Sequence, residues 1–184
     1  AGASIINDVS AGREDADMFR LAADRQTLLV LMHMQGEPAT MQQNPIYHNV
    51  VEQVRAFLLE RVAAAKTAGV LDEQIIIDPG IGFGKTLEHN IDLIRNLHRF
   101  TDTGYPVLLG ASRKRFLKSI CVDDQSGNLV GATCATTALG VLAGVSLFRV
   151  HDVRENRQAA DVMYRMGSQA IQGGKSDELT PHKH

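Results

Sequence analysis

Five short apolar runs alternate with longer mixed stretches along the 184 residues. The runs are Ser4-Ile5-Ile6, Thr27–Met32, Gln74–Ile77, Pro106–Leu109 and Val145–Val150. Ile75-Ile76-Ile77 in the third run is continuously apolar rather than alternating, the pattern of a strand buried on both faces. Helices are predicted between them, at about 15–25, 49–68, 87–99, 130–143 and 154–166, with a shorter helix and a loop containing Asp123, Asp124 and Gly127 after the fourth run. In the second helix Val50, Val51, Val54, Phe57, Leu58, Val62 and Ala65 share one face, and Gly69 suits its C-terminal cap. Leu87, Ile91, Ile94 and Leu97 do the same in the third. The helix at 130–143 is apolar nearly all round. That predicts burial or a subunit contact, with Gly131, Ala132, Ala135, Ala138 and Gly140 allowing close approach of another helix. Gly167 is expected to close the last helix. Strand and helix in alternation predict a parallel sheet with helical crossovers, with Ile5, Leu29, Leu31, Ile75, Ile77, Leu108 and Phe148 turned to its interior.

The composition is that of an ordinary globular protein, 44% hydrophobic and 22% charged with net charge −2. No basic patch suggests nucleic acid as a partner. No apolar run reaches the ~20 residues of a membrane span, and no signal-peptide pattern is visible. Cys121 and Cys134 lack CxxC spacing and read as buried free thiols of a reducing, cytoplasmic compartment.

Each apolar run ends in polar groups: Asn7, His33, Asp78, Ser112 with Lys114, and Arg149 with His151. Parallel α/β sheets bind ligands beyond the carboxyl ends of their strands, so five such endings point to one shared site. The most informative is Asp78-Pro79-Gly80-Ile81-Gly82-Phe83-Gly84-Lys85. A carboxylate directly after a buried strand needs a partner, because burying it unpaired costs several kcal/mol. The glycines would let a ligand approach the backbone. Gly84-Lys85-Thr86 has the end of a P-loop, but Pro79 occupies the required first glycine position. The spacing G-x-G-x-G also fails the G-x-G-x-x-G dinucleotide pattern. By itself the loop is equally compatible with a plain strand-to-helix turn.

Taken together, Ile5-Ile6-Asn7-Asp8-Val9-Ser10, Met32-His33-Met34-Gln35-Gly36, Asp78–Lys85, Gly110-Ala111-Ser112-Arg113-Lys114 and Arg149-Val150-His151-Asp152 resemble the motifs of dihydropteroate synthases, in the family's order and over almost the whole chain. The resemblance implies a (β/α)8 TIM barrel, of which residues 1–173 would form about five C-terminal units and 174–184 a polar, disordered tail. A full barrel takes ~250 residues, so three N-terminal units, on the order of 100 residues, would be absent. With them would go the expected metal ligand, so none is assigned here. The implied reaction joins 6-hydroxymethyl-7,8-dihydropterin diphosphate to 4-aminobenzoate and releases pyrophosphate. Mg2+ is implied with the diphosphate, sulfonamides as inhibitors and a homodimer as the complete assembly. These 184 residues alone are expected to be inactive.

The resemblance places the pterin against Asn7, Val9, Met34, Asp78, Phe83, Gly110, Lys114 and Arg149. It places 4-aminobenzoate against Gly82, Phe83, Ser112 and Lys114, and the diphosphate against Arg149 and His151; Lys114, Arg149 and His151 carry the catalytic roles. An acceptor-only carboxylate at Asp78 suits a guanidine-like ring edge. Arg149 and His151, two apart at a strand end, point the same way. Each residue also has a plain reading: Asp78 capping backbone N–H groups, Asn7 forming a turn, Lys114 solvated, Arg149 paired to Asp152, and Met34 and Phe83 filling the core. His33 has no assigned role. Two other functions fit part of the pattern, a methyltetrahydrofolate–corrinoid methyltransferase and a non-catalytic pterin-binding fragment. The first has no diphosphate to hold, so Arg149-Val150-His151 and Ser112-Arg113-Lys114 argue against it.

Overall fold

In a computed structural model of the protein, residues 2–15, 17–37, 40–121 and 128–173 are described. The loop expected at Asp123, Asp124 and Gly127 and the expected tail fall outside them. The strands are β1 (Ile5–Asp8), β2 (Leu28–Met32), β3 (Ile75–Asp78), β4 (Leu108–Leu109) and β5 (Leu147–Phe148). The helices are α1 (Met18–Arg25), α2 (Val50–Thr67), α3 (Leu87–Arg95), α4 (His98–Thr101), α5 (Arg115–Ile120), α6 (Val130–Leu142) and α7 (Val153–Gly173).

All pairings are parallel. Ile6 lies beside Leu29 and Val30 beside Ile76; a bridge from Ile77 to Val107 leads on to Leu109 beside Phe148. Every strand therefore neighbours the next strand in sequence. A doubly wound sheet would reverse its order near the middle; this one does not, and the arrangement is that of part of a (β/α)8 barrel. The main core lies between strands and helices, where Leu29, Leu31, Ile75, Ile77 and Leu109 meet Val54, Leu58, Leu93 and Phe100. Val30, Ile76 and Leu108 form a small second cluster on the other sheet face. The expected interior set thus had the wrong parity for Leu29, Leu31, Ile75, Ile77 and Phe148, which face the helices. Both faces of these strands are apolar, so no alternation marks which one is which.

Helix boundaries follow local chemistry. The Asn49 side chain accepts the Glu52 backbone N–H at 3.1 Å and starts α2, and Gly69 at φ +97 ends it. The helix expected over 87–99 is two pieces. At the break, the Asn96 amide donates to the Asp92 carbonyl at 2.8 Å, a side-chain bond that competes with helix continuation. The last helix does not stop at Gly167. A Cβ there would lie 3.2 Å from Leu142 Cδ2, so this glycine serves the close packing of α7 on α6 and caps nothing. In α6 the buried side carries Thr133, Thr136, Thr137 and Gly140, while Leu139 and Leu142 are more than half exposed. The Thr137 hydroxyl donates to Asn156 Oδ1 at 2.7 Å and ties α6 to α7. Of the small residues, Gly131 and Ala135 are exposed and Gly140 is pressed against Phe148. Cys121 and Cys134 are free thiols, only half-buried rather than buried as expected. Among the described residues no helix is long and apolar enough to cross a membrane.

The outer edges of β1 and β5 pair with no other strand among the described residues, and Ile5 is 44% exposed. Unpaired parallel edges recruit other chains. The 184 residues expressed by themselves are therefore expected to self-associate and to be inactive. Light scattering that finds a monodisperse monomer with a cooperative thermal transition would refute this.

Candidate active site

Asp78 closes β3 and is only 1% exposed. Its Oδ1 accepts the Gly80 N–H at 2.7 Å. Its Oδ2 has no hydrogen-bond partner, although Arg149 Nη2 lies 3.3 Å away. The contact is close enough for charge attraction but lacks hydrogen-bond alignment. Burial pushes the Asp78 carboxyl up from its ordinary value, with Arg149 and then the Gly80 N–H opposing. Arg149 Nη1 also donates to Asn7 Oδ1 at 2.7 Å. Gly110 makes room for this, since a Cβ there would stand 2.6 Å from Arg149 Nη2.

Arg149 forms one wall of an open cavity of ≈ 360 Å³ at the strand ends. Asn7, Val9 and Gly110 line it with Phe83, Ser112, Lys114 and His151. Lys114 Nζ sits 4.1 Å over the Phe83 ring, and burial lowers its pKa, followed by repulsion from Arg149. The Ser112 hydroxyl accepts the His151 backbone N–H at 3.1 Å and lies 2.9 Å from His151 Nδ1. Arg149 and His151 thus share the cavity, though one leans on Asp78 and the other on Ser112. Gly82 lines an adjoining cavity of ≈ 370 Å³ together with Lys114 and Arg115. Met34 is buried and lies outside both linings; its carbonyl accepts Arg13 Nη2 at 3.0 Å. Asp152 pairs with Arg113, not Arg149, through both carboxylate oxygens at 2.6 and 3.1 Å.

The sequence reading missed the groups that hold the Asp78–Lys85 loop. Lys85 is 3% exposed and donates to the carbonyls of Gly80 and Phe83 at 2.9 Å each. It also meets His33 Nδ1 at 3.0 Å. Lys85 therefore faces inward as a cross-link between the loops after β2 and β3. Asn90 accepts the Gly82 N–H at 2.6 Å and donates to the Thr86 carbonyl at 2.6 Å. Its signal was available: Asn90 falls on the apolar side of α3, three residues after Leu87 and four before Ile94, where an amide needs partners. Gly80, at φ +66, could carry no side chain without striking the His33 carbonyl.

Burial, then Lys85 and Arg13, push the His33 imidazole down from 6.5 to about 2. Between those values the unfolded chain binds a proton that the native state does not, so stability falls as pH drops below about 6.5. For one proton the slope is about 1.4 kcal/mol per pH unit. The raised Asp78 carboxyl works in the opposite sense over its own window. Urea unfolding of the complete protein from pH 5 to 7 should show the acid loss flatten in His33→Gln; an unchanged slope would exclude His33 as its source.

Among the described residues no three His, Cys, Asp or Glu side chains are grouped so as to hold a metal ion. They do not fit a metal centre built from these side chains alone.

The sequence profile of the pterin binding enzymes matches residues 1–151. The chain belongs to the pterin-binding enzyme family. It is 39% identical over 168 residues to the dihydropteroate synthase of Synechocystis sp., covering 90% of this chain and 58% of that one. The Thermus thermophilus dihydropteroate synthase, solved in complex with 4-aminobenzoate, superposes with a TM-score of 0.83 at 42% identity, covering 90% and 63%. The Yersinia pestis enzyme, solved in a sulfonamide drug complex, superposes with a TM-score of 0.85 at 30% identity, covering 91% and 60%. The chain spans between about a third and three fifths of the curated relatives it matches.

Proposed function

We propose that the protein to which this chain belongs is a dihydropteroate synthase, and that these residues bind the pterin and hold the leaving diphosphate. The observation that carries the reading is the orphaned Oδ2 of fully buried Asp78, beside a cavity walled by Arg149, Lys114 and His151. A buried carboxylate with an unmet acceptor calls for a ligand with aligned N–H donors. The 2-amino group and ring N–H of a pterin supply them.

In the reaction the aniline nitrogen of 4-aminobenzoate attacks the exocyclic CH2 of the pterin. The bond from that carbon to the diphosphate oxygen breaks, pyrophosphate leaves, and the nitrogen gives up its extra proton to water. Asp78 and Asn7 orient the ring, with Val9 and Phe83 along its faces and Lys114 toward its carbonyl. Arg149 and His151 stabilise the charge that develops on the leaving oxygens. With the Ser112 hydroxyl proton turned to His151 Nδ1, the imidazole carries its own proton on Nε2, ready to donate to a phosphate oxygen. Ser112 serves the benzoate side only through its backbone on this reading, and Gly82, Phe83 and Lys114 form the rest of that subsite. The solved relatives, one in complex with 4-aminobenzoate and one with a sulfonamide drug, support both as ligands here. Mg2+ belongs to the proposal as a companion of the diphosphate. A cytoplasmic homodimer is proposed with it, the exposed Leu139 and Leu142 of α6 forming part of the contact.

The test is pyrophosphate release by the complete protein from the pterin diphosphate. Release is expected only with 4-aminobenzoate present and in equal amount to dihydropteroate formed. Release that ignores the amine, or none at all, would overturn the assignment.

A further inference from the structure

The guanidinium of Arg149 lies where a pterin edge would have to go. It spans Asn7 Oδ1 at 2.7 Å and Asp78 Oδ2 at 3.3 Å, directly over Gly110. Chemically it is the same kind of object as that edge: a planar carbon bearing N–H donors side by side, aimed at one carboxylate. Ring and guanidinium cannot both occupy Asp78. The hold is loose, because Asp78 Oδ2 gains no aligned hydrogen bond from it and the Arg149 side chain remains 41% exposed. A ligand that can align its donors displaces it.

Displacement has a consequence that depends on the rest of the ligand. Arg149 and His151 line the same cavity, so a released guanidinium is within reach of an anion held there. A pterin that carries a diphosphate gives it a new anion. A pterin without phosphate removes it from Asp78 and gives nothing back. We propose that Arg149 is a specificity-determining residue that stands in for the pterin on Asp78 and Asn7, so that the site favours diphosphate-bearing pterins over phosphate-free ones. The inference rests on the pterin-site reading above. It differs from a simple phosphate clamp in one sign: for a phosphate-free pterin, Arg149 is a competitor.

The test is calorimetric titration of the complete protein with 6-hydroxymethylpterin, with pyrophosphate and with the pterin diphosphate. Arg149→Met is expected to bind 6-hydroxymethylpterin more tightly than the wild type, by roughly 5-fold or more, while binding the pterin diphosphate more weakly. In the wild type, pyrophosphate should tighten 6-hydroxymethylpterin binding, and the pterin should tighten pyrophosphate binding by the same factor. Equal or weaker binding of 6-hydroxymethylpterin by a folded Arg149→Met overturns the inference. If that variant does not fold, the wild type decides alone, and independent binding of pterin and pyrophosphate overturns it. Failure of both proteins to bind any pterin is a separate result that overturns the functional reading itself.

Discussion

Asp78→Asn in the complete protein is expected to weaken pterin binding by about 2–4 kcal/mol, roughly 30- to 1,000-fold in Kd. The asparagine oxygen can keep the bond from the Gly80 N–H, at 2.7 Å in the present structure. Its amide nitrogen then takes the place of Oδ2 and turns a donor toward the donors of the ligand. A charged hydrogen bond is lost and a mispaired N–H is added. Folding should survive, because the substitution removes a buried charge and Arg149 keeps its bond to Asn7 and is exposed enough to be hydrated. The binding loss should therefore come with an unfolding midpoint close to that of the wild type. Unchanged pterin affinity by calorimetry would remove Asp78 from the site.

Lys85→Met should instead strike the fold. It leaves the carbonyls of Gly80 and Phe83 and the ring nitrogen of His33 without their shared donor. Each buried group left unmet costs about 1–3 kcal/mol. Relief of the buried charge offsets part of this, so the expected loss is about 3–5 kcal/mol by urea unfolding. The pH dependence distinguishes this cause from a simple packing defect. Burial holds the Lys85 ammonium down from 10.5 to about 7, with Asp78 opposing. Between those values the unfolded chain binds the extra proton, so this group makes the wild type more stable as pH rises from about 7 toward 10.5. The Met variant lacks that gain, and the gap between the two should widen on the alkaline side. A loss under about 1 kcal/mol, or a gap independent of pH, would contradict the cross-link.

Strand and helix order was legible because continuous apolar runs and amphipathic stretches differ in length and period. Which face of Leu29-Val30-Leu31 met the helices was not, since both faces are apolar. Asp78 stood out as a carboxylate after Ile75-Ile76-Ile77, a place where charge requires an explanation. The same sequence gave no hint that Arg149 would lean on it, because that contact depends on closing strands far apart in the chain and on the missing side chain at Gly110. In sequence Lys85 matches only the end of a phosphate-binding loop. Its actual partners are backbone carbonyls and His33, and carbonyls leave no mark in a sequence. Gly167 shows the same limit from the other direction. Helix-ending and helix-packing glycines are one letter, and only the neighbour, Leu142, separates them.

The sequential order of the strands also sets a timetable. Pairing β1 with β2, or β4 with β5, closes short stretches of chain, which costs little entropy and can proceed as the chain emerges. The bond from Arg149 to Asn7 crosses 142 positions. Sheet assembly is therefore expected to run ahead of site assembly during refolding. Pulsed hydrogen exchange should find the His33 amide, bonded to the Asp78 carbonyl at 3.0 Å, protected well before the complete protein regains the ability to bind a pterin.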